Sequence, residues 1–368
     1  MRIAEWHIYQ RDLPVKDGPY TFAGQEVWTL DTTLVRLVSD TGIEGWGEVC
    51  PLGARYAPVS AGIVRAALTE IGESLIGVTA DFNSVMCAVD TRILGQNYAR
   101  SALDIAVHDL MGKALRVPVA TLLGGAMTDR LPSYFATGIG DPDEIARLAA
   151  DKVAWGYPRI QVKIGGRDVA EDIATLRKVH EAVGGHALLA ADANRGLSQR
   201  DALRLSRECA AIPFALEQPC SSIEEVAAIR AQISHPIYLD ESMTDLNTVL
   251  RVVGEGLADG FGMKLSRLGG LRPFSAFRDI CATRGLFHTC DDSWGGDIVA
   301  AACAHMGAAC DSKRLEAVWL ATPYVEGSYV PDCPVSVEAG HVLLPKGPGL
   351  GLAIDAAQFD TPLASFGG

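Results

Sequence analysis

From residue 3 to about residue 53, apolar and β-branched positions fall in short alternating runs, at 3–9, 32–39 and 45–50, broken by Gly, Pro and Asp. Alternation with those breakers predicts an antiparallel meander. Between the first two runs, Leu13-Pro-Val-Lys-Asp-Gly-Pro-Tyr-Thr-Phe22 reads as a loop long enough to move over a site. After Val59 the apolar spacing becomes three and four, predicting helices over 60–75 and 99–115, hence an α+β unit of strands followed by helices. Beyond Leu131 short apolar strands alternate with helical stretches. Strands are predicted at 131–137, 159–164, 187–191, 214–217, 237–240, 260–265, 286–289 and 317–321, and helices at 142–155, 170–183, 198–209, 222–232 and 245–255. Eight strands with intervening helices point to a β/α barrel, with a doubly wound open sheet as the alternative. Residues 322–368, rich in Pro and Gly with a strand at 341–344, are expected to return to the first domain.

Composition narrows the function. The 368 residues are 48% apolar and 21% charged without a low-complexity tract, as in a folded protein. A net charge of −13 argues against a nucleic-acid or anionic-membrane surface, either of which needs a basic stripe, and leaves a small molecule as the partner. The nine cysteines are scattered singly from Cys50 to Cys333, none at a Cys-x-x-Cys spacing, and read as reduced core residues. The first residues lack the apolar stretch of a signal peptide and no run reaches membrane-spanning length, so the cytoplasm is expected.

The chemistry lies at the ends of five successive predicted barrel strands, where Lys163, Asp192, Glu217, Asp240 and Lys264 follow one another at intervals of 23 to 29 residues. One strand-helix unit separates each from the next, so all five open on one face of the barrel. Any one carboxylate alone reads equally as a solvated acid or a helix cap. Three together, without His or Cys, suit a hard cation, with Mg²⁺ the usual occupant. Buried lysines are rare. Near a divalent cation and a second ammonium, their pKa is expected to fall toward a value useful for proton abstraction. Strands two and six face each other across a barrel, so Lys163 and Lys264 would address opposite faces of a carbon acid next to a carboxylate. His288 is expected to be a core residue.

At these residues the chain resembles the mandelate racemase and muconate lactonizing enzyme branch of the enolase superfamily. The resemblance rests on Ser101-Ala-Leu-Asp-Ile-Ala-Val-His-Asp-Leu-Met-Gly-Lys113, Val117-Pro-Val-Ala-Thr-Leu-Leu-Gly-Gly125, Asp192-Ala-Asn194, Leu216-Glu-Gln-Pro219, Asp240-Glu-Ser242 and Lys264-Leu-Ser-Arg-Leu-Gly-Gly270. It implies an α/β fold, a (β/α)7β modified TIM barrel over 126–321 with an N-terminal α+β capping domain over 1–125 and a returning segment over 322–368. It also implies catalytic Lys163 and Lys264, Mg²⁺ on Asp192, Glu217 and Asp240, and a homo-oligomer. A lysine after strand six is similar to the muconate lactonizing subgroup, but that subgroup's Lys-x-Lys is here Gln161-Val-Lys163.

A closer resemblance is to the 4-hydroxyproline betaine 2-epimerases. It is carried by residues 13–20, Trp46-Gly-Glu-Val-Cys-Pro51, Tyr56-Ala-Pro58, Asp291-Asp-Ser-Trp-Gly-Gly296 and Val318-Trp-Leu-Ala-Thr-Pro-Tyr324. This implies a carboxylate substrate with a ring nitrogen, bound by Tyr56, Gln161, Asn194, Asp292 and Trp319. Trp319 and Tyr56 would surround a quaternary ammonium with Asp292 nearby, and Tyr20 and Phe22 would form a lid. The expected reaction is epimerisation of proline-type betaines. A cis-3-hydroxy-L-proline dehydratase on the same site and a non-catalytic binding protein are the alternatives.

Overall fold

The structure, a computed structural model, describes every residue except Ala23, Gly24, Arg55, Pro331, Cys333 and Pro334, and the side chains of Phe22 and Gln25. The N-terminal part is a four-stranded antiparallel sheet in the order Ala364–Gly367, Ile3–Pro14, Thr29–Ser39, Glu44–Val49. The first strand runs further than its alternation predicts because Thr29–Ser39 pairs with it as far as Pro14. The predicted loop holds a small hairpin of Tyr20–Phe22 against Gln25–Val27. Helix Ala61–Ile71, capped by Ser60, breaks at Gly72 and continues as the 3-10 turn Gly72–Leu75. A helix absent from the sequence reading, Phe82–Asp90, is capped by Asp81 and buries only Val85 and Val89.

Eight parallel strands follow: Tyr134–Ala136, Arg159–Lys163, Leu188–Asp192, Ala215–Glu217, Ile237–Leu239, Gly260–Phe261, Phe287–Asp291 and Leu315–Trp319. Each pairs with its sequence neighbours, and a parallel bridge from Ser133 to Val318 brings the last against the first. That closure excludes the open doubly wound sheet and gives a (β/α)7β barrel. The sixth strand ends at Phe261, not 265, and Lys264 instead stands at the N-cap of the short helix Leu265–Leu268. The eighth starts two residues earlier than predicted. The run at 131–137 is divided, because Arg130–Pro132 leaves the barrel to pair with His341–Leu343.

Helix starts differ around the barrel. Helices Pro142–Trp155, Val169–Val183, Gln199–Glu208, Ile223–Ile229 and Leu246–Glu255 are capped by their own Asp141, Asp168, Ser198, Ser222 and Asp245. Such caps satisfy amide groups that a first turn leaves without partners. The last two, Leu271–Arg284 and Asp297–Ala308, begin at Gly270 and Gly296, which have no side chain to offer. The capping domain supplies both. Asp104 Oδ1 accepts from the Leu271 and Arg272 N–H groups at 2.6 and 3.3 Å, and Glu48 accepts from Gly296 and Val299 at 2.8 and 3.2 Å.

Two apolar clusters hold the molecule. One joins Trp6, Leu37, Leu68 and Val107 in the capping domain, and a larger one includes Val162, Leu216, Phe261 and Phe274 in the barrel. Among the described residues eight cysteines are unpaired, all buried except Cys87, while Cys333 lies outside them. No described helix is long and apolar enough to cross a membrane.

Candidate active site

Strand register brings the polar residues together. Lys163 pairs across from Asp192, and Asp192 across from Glu217, at the carboxyl ends of barrel strands two, three and four. Asp240 and Lys264 follow strands five and six. Lys163 donates to Asp192 Oδ2 at 2.5 Å and Lys264 to Asp240 Oδ2 at 2.7 Å, while Arg267 binds the other Asp240 oxygen. Lys163, Lys264, Asp192, Gln161, Asn194, Tyr20, Tyr56 and Trp319 all line one cavity.

Both lysines are held against carboxylates. Burial alone would lower the pKa of Lys163, yet Asp192, Tyr20 and Glu217 outweigh it and hold the ammonium above its ordinary value. At Lys264 burial also pulls down, and Asp240 with Tyr56 overcomes it. An opposite charge in contact outweighs desolvation at both lysines.

The carboxylates carry complementary strain. Glu217 is pushed up to about 8, first by burial and then by the neighbouring Asp192 and Asp240 charges. Burial would also raise Asp240, but Arg267 and Lys264 hold it below the usual range. Among the described residues no three His, Cys, Asp or Glu side chains converge as a ready-made metal cage, since these oxygens are turned to Lys163, Lys264, Arg267 and Gln161. The donor set nevertheless fits a hard divalent cation. It is all oxygen and buried, and burial with the neighbouring negative charges keeps Glu217 from ionising readily. Space is left for Glu217 at Gly262, where a Cβ would stand 2.3 Å from Glu217 Oε1.

The residues expected around the substrate divide into three groups. Gln161 and Asn194 also serve the carboxylates: Gln161 donates to Glu217 Oε2 at 2.9 Å, and Asn194 donates to Asp192 and to Glu241 Oε1. Tyr56 donates to Asp240 Oδ2 at 3.1 Å and accepts from Arg267. Trp319 and Tyr20 form an aromatic wall completed by Trp294, whose ring centroid lies 5.4 Å from Trp319 and 4.8 Å from Tyr20. Asp292 does not line the cavity. It is buried behind the wall with Oδ2 accepting from the Ala321 N–H, and burial pushes its carboxyl well above the usual range. The Phe22 side chain lies outside the described residues. His288 packs against Phe274 and Phe277, lowered to about 4 by burial.

Sequence reasoning did not single out Trp294, Tyr134 or Arg267. Tyr134 lines the floor and donates to Asp291 at 3.1 Å. Arg267 stands inside the motif beginning at Lys264, three residues on, where the short helix turns it back to Asp240.

Comparison with known proteins agrees with this geometry. Residues 144–358 match the enolase C-terminal domain-like family, and residues 5–124 the N-terminal domain of mandelate racemase and muconate lactonizing enzyme. The chain is 36% identical to the cis-3-hydroxy-L-proline dehydratase of Roseibium aggregatum, over 85% of this chain and 86% of that one. It is 28% identical to the hydrophobic dipeptide epimerase of Enterococcus faecalis, over 78% and 81% respectively. An enolase superfamily member from Roseovarius nubinhibens, solved in complex with magnesium, superposes with a TM-score of 0.94 at 28% identity over the whole of both chains. With both halves matched and the five-residue constellation in place, the chain belongs to the mandelate racemase and muconate lactonizing enzyme family of the enolase superfamily, a group of racemases, epimerases and dehydratases.

Proposed function

We propose that this protein inverts the carbon bearing the carboxylate of proline-type amino-acid betaines by two-base proton transfer, with Mg²⁺ held by Asp192, Glu217 and Asp240. The observation that carries the reading is a pair of lysines, one ending barrel strand two and the other just beyond strand six on the opposite side, opening into one cavity with an aromatic wall. When bound, Mg²⁺ supplies the positive charge that makes a carboxylate's α-proton acidic enough to remove. Lys163 and Lys264 move that proton, one taking it from the carbon and the other returning one to the opposite face. Burial works on both amines in the direction of the neutral, proton-accepting form, against the carboxylates that hold them charged.

Trp319, Trp294 and Tyr20 leave the wall without an ionised acceptor of its own, which suits a quaternary ammonium, a group with no N–H to donate. Tyr56 closes the side next to Lys264, whose Nζ lies 5.7 Å from its ring centroid. In ²H₂O the protein should incorporate deuterium at the α-carbon of proline betaine and 4-hydroxyproline betaine, and EDTA should abolish it. Lys163→Ala and Lys264→Ala should each block exchange from one stereoisomer. Exchange that persists unchanged in both variants overturns the proposal.

A second reading is favoured by the 36% identity to a cis-3-hydroxy-L-proline dehydratase. On the same lysines, loss of a β-hydroxyl after α-proton removal gives elimination. Side-by-side assays decide: an imine product from cis-3-hydroxy-L-proline without turnover of the betaines selects dehydration.

A further inference from the structure

We propose that Glu48 is a positioning residue, which sets the seat of Trp294 in the cavity wall by terminating helix Asp297–Ala308 from the capping domain. Glu48 lies on strand Glu44–Val49 and is fully buried. Its Oε1 accepts from the Gly296 N–H at 2.8 Å, the Tyr329 hydroxyl at 2.8 Å and the Thr32 hydroxyl at 2.9 Å, and Oε2 accepts from the Val299 N–H at 3.2 Å. Four donors on one carboxylate, two of them from a helix start with no cap of its own, make this an anchoring point.

The anchored turn is the one that carries Trp294. Its φ is 147°, a backbone region that non-glycine residues rarely occupy and that persists only where the surroundings impose it. Both sides of the turn are held. On the near side Ser293 Oγ bonds Ser266 Oγ at 2.5 Å and the Tyr98 hydroxyl at 3.3 Å. On the far side Gly295 and Gly296 let the backbone press against Glu48 and Tyr329. A Cβ on Gly295 would stand 3.3 Å from Glu48 Cδ and 2.4 Å from Val299 Cγ1, and one on Gly296 would stand 2.6 Å from the Tyr329 ring. Remove the acceptor, and the far side loses what opposes relaxation of Trp294. The indole packs against Tyr20, Trp319 and Tyr324, so the change is felt in the aromatic wall.

Two measurements on the full-length, Mg²⁺-loaded protein test this. In Glu48→Gln, an amide nitrogen replaces one acceptor oxygen and faces a backbone donor. Amide hydrogen exchange in 292–300 should rise about tenfold or more, while strands Arg159–Lys163 and Leu188–Asp192 exchange as in the wild type. The kinetic arm rests on the function proposed above: KM for the betaine should rise about tenfold with kcat within about threefold, since the wall binds the substrate without touching the reacting carbon. Glu48→Asp, which keeps the charge and withdraws it from Gly296, should give the same local exchange pattern. An unchanged 292–300 segment, or a rise spread evenly over the barrel, overturns the proposal. If neither betaine is turned over, the exchange arm still decides the role of Glu48, because it needs no substrate.

Discussion

Asp104→Ala is the most direct test of how the capping domain supports the barrel. The carboxylate is 2% exposed and accepts from two successive backbone amides at the start of helix Leu271–Arg284, whose N-cap is a glycine. Loss of a helix cap costs about 0.5–2 kcal/mol. Here water cannot readily replace it, so the Leu271 amide adds about 1–3 kcal/mol as a buried donor left unpaired. The worked expectation is a loss of about 1.5–5 kcal/mol. Asp104→Asn keeps one acceptor oxygen and should lose about 1 kcal/mol or less. Equilibrium urea unfolding, followed by far-UV circular dichroism on wild type and both variants in parallel, reads the difference. If Asp104→Ala unfolds within about 0.5 kcal/mol of the wild type, or the alanine and asparagine variants coincide, capping across the domains is not what the carboxylate contributes.

Gly262→Ala should leave the fold in place yet weaken Mg²⁺ binding about tenfold or more by displacing Glu217, as read by isothermal titration calorimetry. Trp319→Ala should raise KM for proline betaine by about tenfold, with little change in kcat, in a polarimetric assay. His305, fully buried, is lowered to about 4 by burial, so the unfolded chain binds its proton first. The stability that wild type holds over His305→Asn should therefore be complete above about pH 6.5 and shrink by about 3 kcal/mol as the pH falls to 4, measured as the difference between two urea series.

How far the sequence carries the site depends on what each residue relies on. Lys163, Asp192, Glu217 and Asp240 were legible because parallel register and one strand-helix unit per step place successive strand ends side by side. Lys264 was legible in position but not in setting, since strand six stops short and a helix turn presents it. Asp292 was expected near the substrate nitrogen, yet it faces away from the cavity while its neighbour in the chain, Ser293, lines it. Asp292 Oδ2 accepts instead from the Ala321 N–H beyond the last barrel strand, a contact that no periodicity announces. Nor could spacing reveal Asp104 and Glu48 as caps, because each serves a helix more than 160 residues away. The ionisation of the lysines depends on which charge faces them, a property of the assembled site.

Strand Ile3–Pro14 sits between Thr29–Ser39 and Ala364–Gly367. During synthesis, one side of that strand thus remains without this partner until residues 364–367 have left the ribosome. A ribosome-stalled chain lacking that stretch should present a bare β edge to chaperones and to its own neighbours.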